Sequence, residues 1–374
     1  MRQSRDRRVR WRRVVCCAAV LPAPWHQVRA GWSCSDTLEA VRVLAAVDKF
    51  RGTASANEAA AAISDACWTA GHECDEVTLA DGGEGTLAVL GGPNRTTKVE
   101  GPLGAPVNAA WRLHNGTAVI EMALASGLLV AGGAEHNDPV AASTVGTGQL
   151  IDSALDLGAQ RIIVCVGGSA TTDGGLGAVQ AISTPARLKR LEFEVACDVR
   201  TKFLDAATVF APQKGASDSQ VKFLSTRLAG TAQWYLDRFG VDVTRVEGGG
   251  AAGGLAGGLY ALGARLVPGF DLVAEEMMLL EHLAQCDAVI TGEGRLDDTS
   301  FDGKVVGSVI ALARTHSKPV AVVCGDATNE ARAHAERLGA HVTTLREEFG
   351  DAAMTSPRQC VRDAALISLR RWSS

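Results

Sequence analysis

Several features that mark other protein classes are missing from this chain. No run of about 20 apolar residues is present, which removes a membrane-spanning helix. None of the cysteines forms a C-x-x-C pair or joins histidine at zinc-ligand spacing. Cys165, Cys197 and Cys324 lie inside apolar runs and read as buried thiols, which suits a reducing cytoplasmic location. The eight histidines fall into no triad or metal spacing, so none is assigned a role. An excess of positive charge is also absent. The formal net charge is -5 and no DNA-reading motif occurs, so neither nucleic acid nor a membrane is an expected partner. There is no Walker A loop: Val305 follows Gly303-Lys304, and no glycine stands five residues before Gly303. No internal repeat or long low-complexity linker is found.

What is present describes a globular α/β protein. The chain has 374 residues, 47% hydrophobic and 21% charged. That length exceeds what one core usually supports, so two lobes are expected. The first 40 residues stand apart. Seven arginines fall between Arg2 and Arg13, and a short apolar run at 14–20 is broken by Pro22 and Pro24. The order of regions is that of a signal peptide, but the apolar run is short. A disordered leader or a mis-assigned start is expected, with the folded protein beginning near Val41.

From there strands alternate with helices. Residues 41–47 read as a buried strand, and Ser55 with Glu58 forms a capping box that opens an Ala-rich helix to about Ala70. Residues 76–79 form the next strand, completing a right-handed βαβ unit in a parallel sheet. Shorter strands are expected at 97–100, 107–113 and 117–122, with a hairpin turn at His114-Asn115-Gly116 between the last two. Helices follow at 144–157, from the turn at Gly175 to about Ile182, at 217–239 and at 305–314. Strands follow at 161–166, 193–197, 288–291 and 319–323.

The chemistry sits just after the strands. Asp48, Asp81, Asp173, Asp198 and Glu293 all occupy such positions, where open parallel sheets bind ligands. Neighbouring glycines let main-chain N–H groups approach a phosphate, and a helix beginning at such a turn adds its positive end. Carboxylates beside an anion site make sense if Mg²⁺ lies between them. Each element also has a plainer reading. Residues 81–85 can be a turn before a helix, residues 167–175 can be tight helix–strand packing, Asp198 can cap a segment, and Lys214 can be solvated. Residues 248–253 satisfy G-x-G-x-x-G after a candidate strand at 241–246, which raises an NAD(P)-binding dehydrogenase as a rival. The acidic residue expected about 20 positions later does not end a second strand.

Taken as a set, the motifs resemble the bacterial ATP-dependent glycerate kinase family. The matching segments are DKFRGTASANEAA (48–60), LADGGEGT (79–86), IEMALASGL (120–128), GGSATTDGGLGAVQA (167–181), ACDV (196–199), FAPQKGA (210–216), GGGAAGGLAGGL (248–259), GARLVPGFDLV (263–273) and ITGEGRLD (290–297). They run in the family's order from residue 41 onward. The resemblance implies a Rossmann-like parallel-sheet lobe built from both chain ends, 41–82 plus 284–374. It implies an inserted mixed α/β lobe at 83–283, with the active site in a cleft between the two. It further implies phosphorylation of D-glycerate to a phosphoglycerate, with ATP as co-substrate and Mg²⁺. A homodimer is compatible with it.

The site expectations follow. Asp48, Lys49, Arg51, Asp81, Gly82, Gly83 and Glu84 would bind substrate. Gly167, Gly168, Ser169, Thr171, Gly174, Gly175, Lys214, Gly249, Gly250 and Gly253 would shape the ATP phosphate site. Asp198 and Glu293 are candidate metal ligands, and Asp173 is a further carboxylate in reach of the ion. Asp198 or Asp173 would take the hydroxyl proton, and Arg51 or Lys49 would grip the substrate carboxylate or the moving phosphoryl group. The family's common opening is D-S-F-K-G, whereas this chain has Asp48-Lys49-Phe50-Arg51-Gly52. Residues 183–192 are also shorter than in many relatives. A kinase for another small hydroxy acid and a non-enzymatic ATP or sugar-acid sensor are further rivals.

Overall fold

The structure is a computed structural model and describes residues 40–50 and 52–373. Residues 1–39 of the basic leader and the expected substrate-binding and catalytic Arg51 lie outside the described residues. Eleven described strands form two sheets. The first contains β1 (Arg42–Val47), β2 (Glu73–Thr78), β9 (Ala288–Leu296), β10 (Val320–Ala327) and β11 (Ala340–Thr344) in the order β11-β10-β9-β1-β2. Every pair in it is parallel. The second contains β3 (Arg95–Glu100), β4 (Pro106–His114), β5 (Thr117–Glu121), β6 (Arg161–Cys165), β7 (Glu192–Ala196) and β8 (Arg265–Val267), in sequence order. Its β3–β4 and β4–β5 pairs are antiparallel and the rest parallel. One sheet is thus drawn from both chain ends and the other from the stretch between, as the expected α/β fold requires.

Local chemistry explains the elements. Ser55 Oγ accepts the Glu58 N–H, and the Glu58 carboxylate accepts the Ser55 N–H at 2.9 Å, so the helix Ala56–Thr69 starts where the capping box predicts. Ser217 and Gln220 do the same for the long helix Asp218–Phe239. Asn115 and Gly116 both have positive φ, which gives the β4–β5 hairpin the two-residue turn that matches strand twist.

The strands alternate their faces. Val43, Ala45, Val47, Ile290, Ala321 and Val323 pack on the helices Ala56–Thr69 and Pro357–Ser373. The opposite face of the first sheet, with Leu44, Ala46, Val289 and Val322, shares one core with Val119, Ile163 and Cys165 of the second sheet. The helices Gly269–Glu276 and Val305–Thr315 contribute to that same core. The far face of the second sheet, including Ile120, Ile162, Val164 and Val195, packs with residues of the helices Val145–Asp156, Asp218–Phe239 and Leu255–Ala261.

Three expectations change. β9 continues through Leu296 and pairs Glu293 with Cys324 of β10, so Glu293 lies within a strand instead of in the turn after one. Residues 241–246, a candidate strand, contain a 3-10 turn at Val243–Arg245 capped by Asp242. Without that strand, the glycine run at 248–253 lacks the strand–turn–helix setting of a dinucleotide fingerprint. β8, β11 and the helix Pro357–Ser373 carry no comparably clear pattern in the sequence.

Candidate active site

The carboxyl ends of β1, β2, β5, β6, β7 and β9 supply the polar groups of the site. At the end of β1, Asp48 donates its N–H to Gly292 O of β9 at 3.0 Å and accepts from Lys49 N–H at 2.7 Å. β2 runs through Leu79 and Ala80 into Asp81, whose Oδ1 accepts the Gly83 N–H at 3.1 Å and tightens the 81–85 turn. The Lys49 Nζ donates to the Glu84 carbonyl across this turn. Glu121 at the end of β5 accepts from the N–H groups of Gly85 at 3.0 Å and Leu87 at 3.2 Å, holding the turn from behind. Burial pushes the Glu121 carboxyl above its ordinary value, opposed by those two N–H groups. Glu121 was given no role from the sequence. Its signal is an acidic residue closing an otherwise apolar strand.

Glycine lets the neighbouring loops meet. A Cβ on Gly167 would stand 2.6 Å from the Gly83 Cα, and one on Gly168 would overlap the Glu84 carboxylate. Gly82, at φ +83°, brings its backbone against Gly269, where a Cβ would fall 2.8 Å from the Gly269 Cα. At the end of β7, Asp198 Oδ1 accepts the Gly269 N–H at 2.7 Å. Burial and the nearby Asp81 charge push Asp198 up to about 7, opposed by the Gly269 and Phe270 N–H groups and by Lys304. Glu293 is likewise pushed up to about 7, chiefly by burial and also by Asp48 and Asp297, while Ser300 and Lys304 oppose the shift.

The structure therefore brings Asp48, Lys49, Asp81–Glu84, Gly167, Gly168, Asp198 and Glu293 into one neighbourhood. It adds Glu121 and Lys304, which the sequence reading did not select. A cavity of about 430 Å³ opens beside this cluster, lined by Asp48, Lys49, Leu79, Glu84, Gly85 and Val89 among others.

The rest of the expected phosphate cradle is buried. Within 167–175 only Gly167 and Gly168 reach the surface; Ser169, Thr171, Asp173, Gly174 and Gly175 are buried. The Asp173 Oδ2 accepts from Thr144 N–H at 2.9 Å, Thr144 Oγ1 at 2.7 Å and Gly177 N–H at 3.2 Å, and its Oδ1 accepts from Gly175 N–H at 3.0 Å. Four bonds fill the acceptor capacity of a carboxylate. Lys214 Nζ donates to Ser169 Oγ at 2.8 Å and Thr171 O at 2.7 Å. Burial pulls Lys214 down to about 7, with Asp173 opposing. Gly249, Gly250 and Gly253 are buried as well. A Cβ on the adjacent Gly254 would stand 2.7 Å from the Gly174 Cα, and one on Gly175 would stand 2.9 Å from the Leu255 Cα. These glycines serve contact between two protein loops. A glycine cluster reads the same in sequence whether its close neighbour is a ligand or backbone.

Among the described residues no group of three or more His, Cys, Asp or Glu side chains is arranged to hold a metal ion by itself. Glu293 Oε1, however, is buried without a hydrogen-bond partner. A buried orphan acceptor suits a cation, and Mg²⁺ commonly takes one or two carboxylates and completes its shell with water and phosphate.

Comparison with known proteins points to one family. The model of the glycerate kinase family matches residues 43–186 and 183–372. Glycerate 2-kinase of Escherichia coli strain K12 is 38% identical over 330 residues, covering 78% of this chain and 86% of its own. Glycerate kinase of Bacillus subtilis strain 168 is 35% identical over 333 residues, covering 78% and 87%. The crystal structure of a protein assigned as glycerate kinase 2 from Salmonella typhimurium LT2 superposes with a TM-score of 0.75 at 34% identity, covering 89% of this chain and 98% of the other.

Proposed function

Because this chain belongs to the glycerate kinase family, we propose that it transfers the γ-phosphoryl group of ATP to D-glycerate in the cytoplasm. One observation carries the mechanism. Asp198 and Glu293 come from different sheets, are both desolvated to about 7, and share Lys304 as a neighbouring charge. Such carboxyls are poised to exchange protons near neutral pH or to meet a cation.

Asp198 takes the proton of the glycerate hydroxyl. The Gly269 N–H on its Oδ1 fixes the direction of the carboxyl. Phosphoryl transfer asks mainly for positioning and charge stabilisation, so a base of this strength suffices. Lys49, with Arg51 near it in the chain, supplies positive charge for the substrate carboxylate. Gly167 and Gly168 admit the 81–85 turn, and their main-chain N–H groups would serve a phosphate there. Glu293, whose Oε1 has no hydrogen-bond partner, would hold Mg²⁺, which when bound offsets phosphate charge, and Asp198 is left free to take the proton. Asp173 and Lys214 keep the second loop in shape.

The name of the Escherichia coli relative suggests the 2-hydroxyl as acceptor. The test is an ADP-coupled assay with ATP, Mg²⁺ and D-glycerate, with the product identified by NMR. Formation of 2-phosphoglycerate is the expected result. ADP release with tartronate but none with D-glycerate would move the assignment to another hydroxy acid.

A further inference from the structure

Lys304 is placed where helix capping does not explain it. It is the N-cap residue of the helix Val305–Thr315 and makes no capping bond. Serine, threonine, aspartate and asparagine are favoured there because they accept the first N–H groups. A lysine cannot accept them, and its charge is opposed by the positive end of the helix. A locally unfavourable residue at a site is a pointer to function.

The surroundings sharpen that pointer. Lys304 Nζ donates to Thr299 Oγ1 at 2.9 Å, and Thr299 is itself held by Asp297 Oδ1, at 2.6 Å to its hydroxyl and 3.0 Å to its N–H. A hydroxyl contact fixes the stem while using one of three ammonium donors. Among the described residues Lys304 forms no ion pair within 4 Å. Its charge acts on Asp297 of its own turn, and also on Asp198, carried by the second sheet, and on Glu293, carried by the first. Lys49 differs. Its Nζ donates to the Glu84 carbonyl, and its charge acts on Glu121 behind the turn.

We propose that Lys304 contacts the transferring phosphoryl group and stabilises it during transfer, a catalytic role that rests on the kinase reading above. In the step, the glycerate hydroxyl oxygen forms a bond to the γ-phosphorus. The bond from that phosphorus to the β,γ-bridging oxygen breaks, and ADP leaves with the electron pair. The hydroxyl proton passes to Asp198. Lys304 donates a hydrogen bond to a non-bridging oxygen of the moving group, where charge accumulates.

The test compares wild type with Lys304→Met and Lys304→Arg, using Lys222→Met on the long helix as a surface control. Wild-type turnover of D-glycerate is measured first, and its absence sinks the kinase reading and this one together. With wild type active, Lys304→Met should lower kcat roughly 100-fold. Calorimetric affinity for a non-hydrolysable ATP analogue with Mg²⁺ should stay within about threefold, because the contact belongs to the transition state. Lys304→Arg should recover at least about a tenth of wild-type kcat by keeping the charge. Two results overturn the proposal while leaving the kinase reading intact. One is a Lys304→Met kcat within tenfold of wild type. The other is a loss of analogue affinity as large as the loss of kcat/KM, which makes Lys304 a ground-state anchor. Should Lys304→Met fail to fold, Lys304→Gln is read by the same criteria.

Discussion

Two polar clusters in this molecule look alike in sequence and behave oppositely in structure. Each combines an aspartate from the segment that follows a strand, a group of glycines and a lysine. Around Asp173, both carboxylate oxygens are engaged by Thr144, Gly175 and Gly177, and Lys214 is bonded to Ser169 and Thr171, although Thr171 Oγ1, Thr172 Oγ1, Asn137 Oδ1 and Arg227 Nε beside them are buried without a partner. Around Asp198 and Glu293, the carboxyls are desolvated but under-bonded, and Glu293 Oε1 has no partner. A buried carboxylate whose bonds are made stabilises one conformation, whereas an under-bonded one lowers stability and is retained where a ligand completes it. The difference lies in the bonds that the carboxylates themselves make and not in residue types.

The sharpest way to break this comparison is to neutralise one aspartate from each cluster. Asp198→Asn should lower kcat by roughly 1,000-fold, within the range for loss of a proton acceptor in the transition state. Asp173→Asn should leave kcat of the folded fraction within about threefold of wild type. Steady-state kinetics with D-glycerate, normalised to folded protein, decides it. Equal losses would mean that both clusters serve the reaction.

Stability should show the reverse order. Asp173→Asn replaces an acceptor by a donor opposite buried N–H groups and should destabilise the fold by about 2–4 kcal/mol. Denaturant unfolding measures this. A loss below about 1 kcal/mol would show that the network is not what holds the loop.

The Asp198 carboxyl supplies a pH test of the same contrast. Its folded value of about 7 lies above the ordinary 3.8, so the folded protein keeps a proton that the unfolded chain releases. The stability this contributes is full below about pH 4 and is lost as pH rises through about 7. Asp198→Asn removes that dependence. Ligand-free variant should therefore exceed wild type by roughly 2 kcal/mol at pH 8 and lose the advantage near pH 4. In the active enzyme, kcat/KM should climb as pH rises through about 7, because the base must be ionised. Urea unfolding at the two pH values checks the first claim, and a pH–rate profile checks the second.

Much of the architecture could be read in advance. The βαβ opening, the Ser55–Glu58 cap, the Asn115-Gly116 hairpin and the buried strands rest on local chemistry that tertiary contacts reinforce. The placement of Asp81 and Asp198 was legible because strand ends in a parallel sheet are ligand positions. What escaped depended on distant partners. Glu121 matters through N–H groups 34 and 36 residues away. Lys304 was visible as Gly303-Lys304 but meaningful only beside Asp198 and Glu293. The glycines at 249, 250 and 253 look like a ligand cradle in sequence, because nothing in a glycine run reveals whether its neighbour is phosphate or the backbone of Lys202 and Thr171.

The smallest expected effect tests the quiet cluster on its own terms. Lys214 is pulled from 10.5 to about 7 by burial, so between those values the unfolded chain holds a proton that the folded protein has released. Stability from this residue is full above about pH 10.5 and is lost as pH falls through about 7. Lys214→Met keeps the apolar stem and gives up two hydrogen bonds, to Ser169 and Thr171. Near pH 8 the lost bonds and the relieved amine should nearly cancel, leaving a change within about 1 kcal/mol. At pH 6 the wild-type amine must carry its charge in the interior, and the variant should become the more stable of the two. kcat should stay within about threefold throughout. If Lys214→Met instead abolished turnover without altering stability, Lys214 would belong with the catalytic groups, and the division between a filled and an under-bonded cluster would have to be redrawn around it.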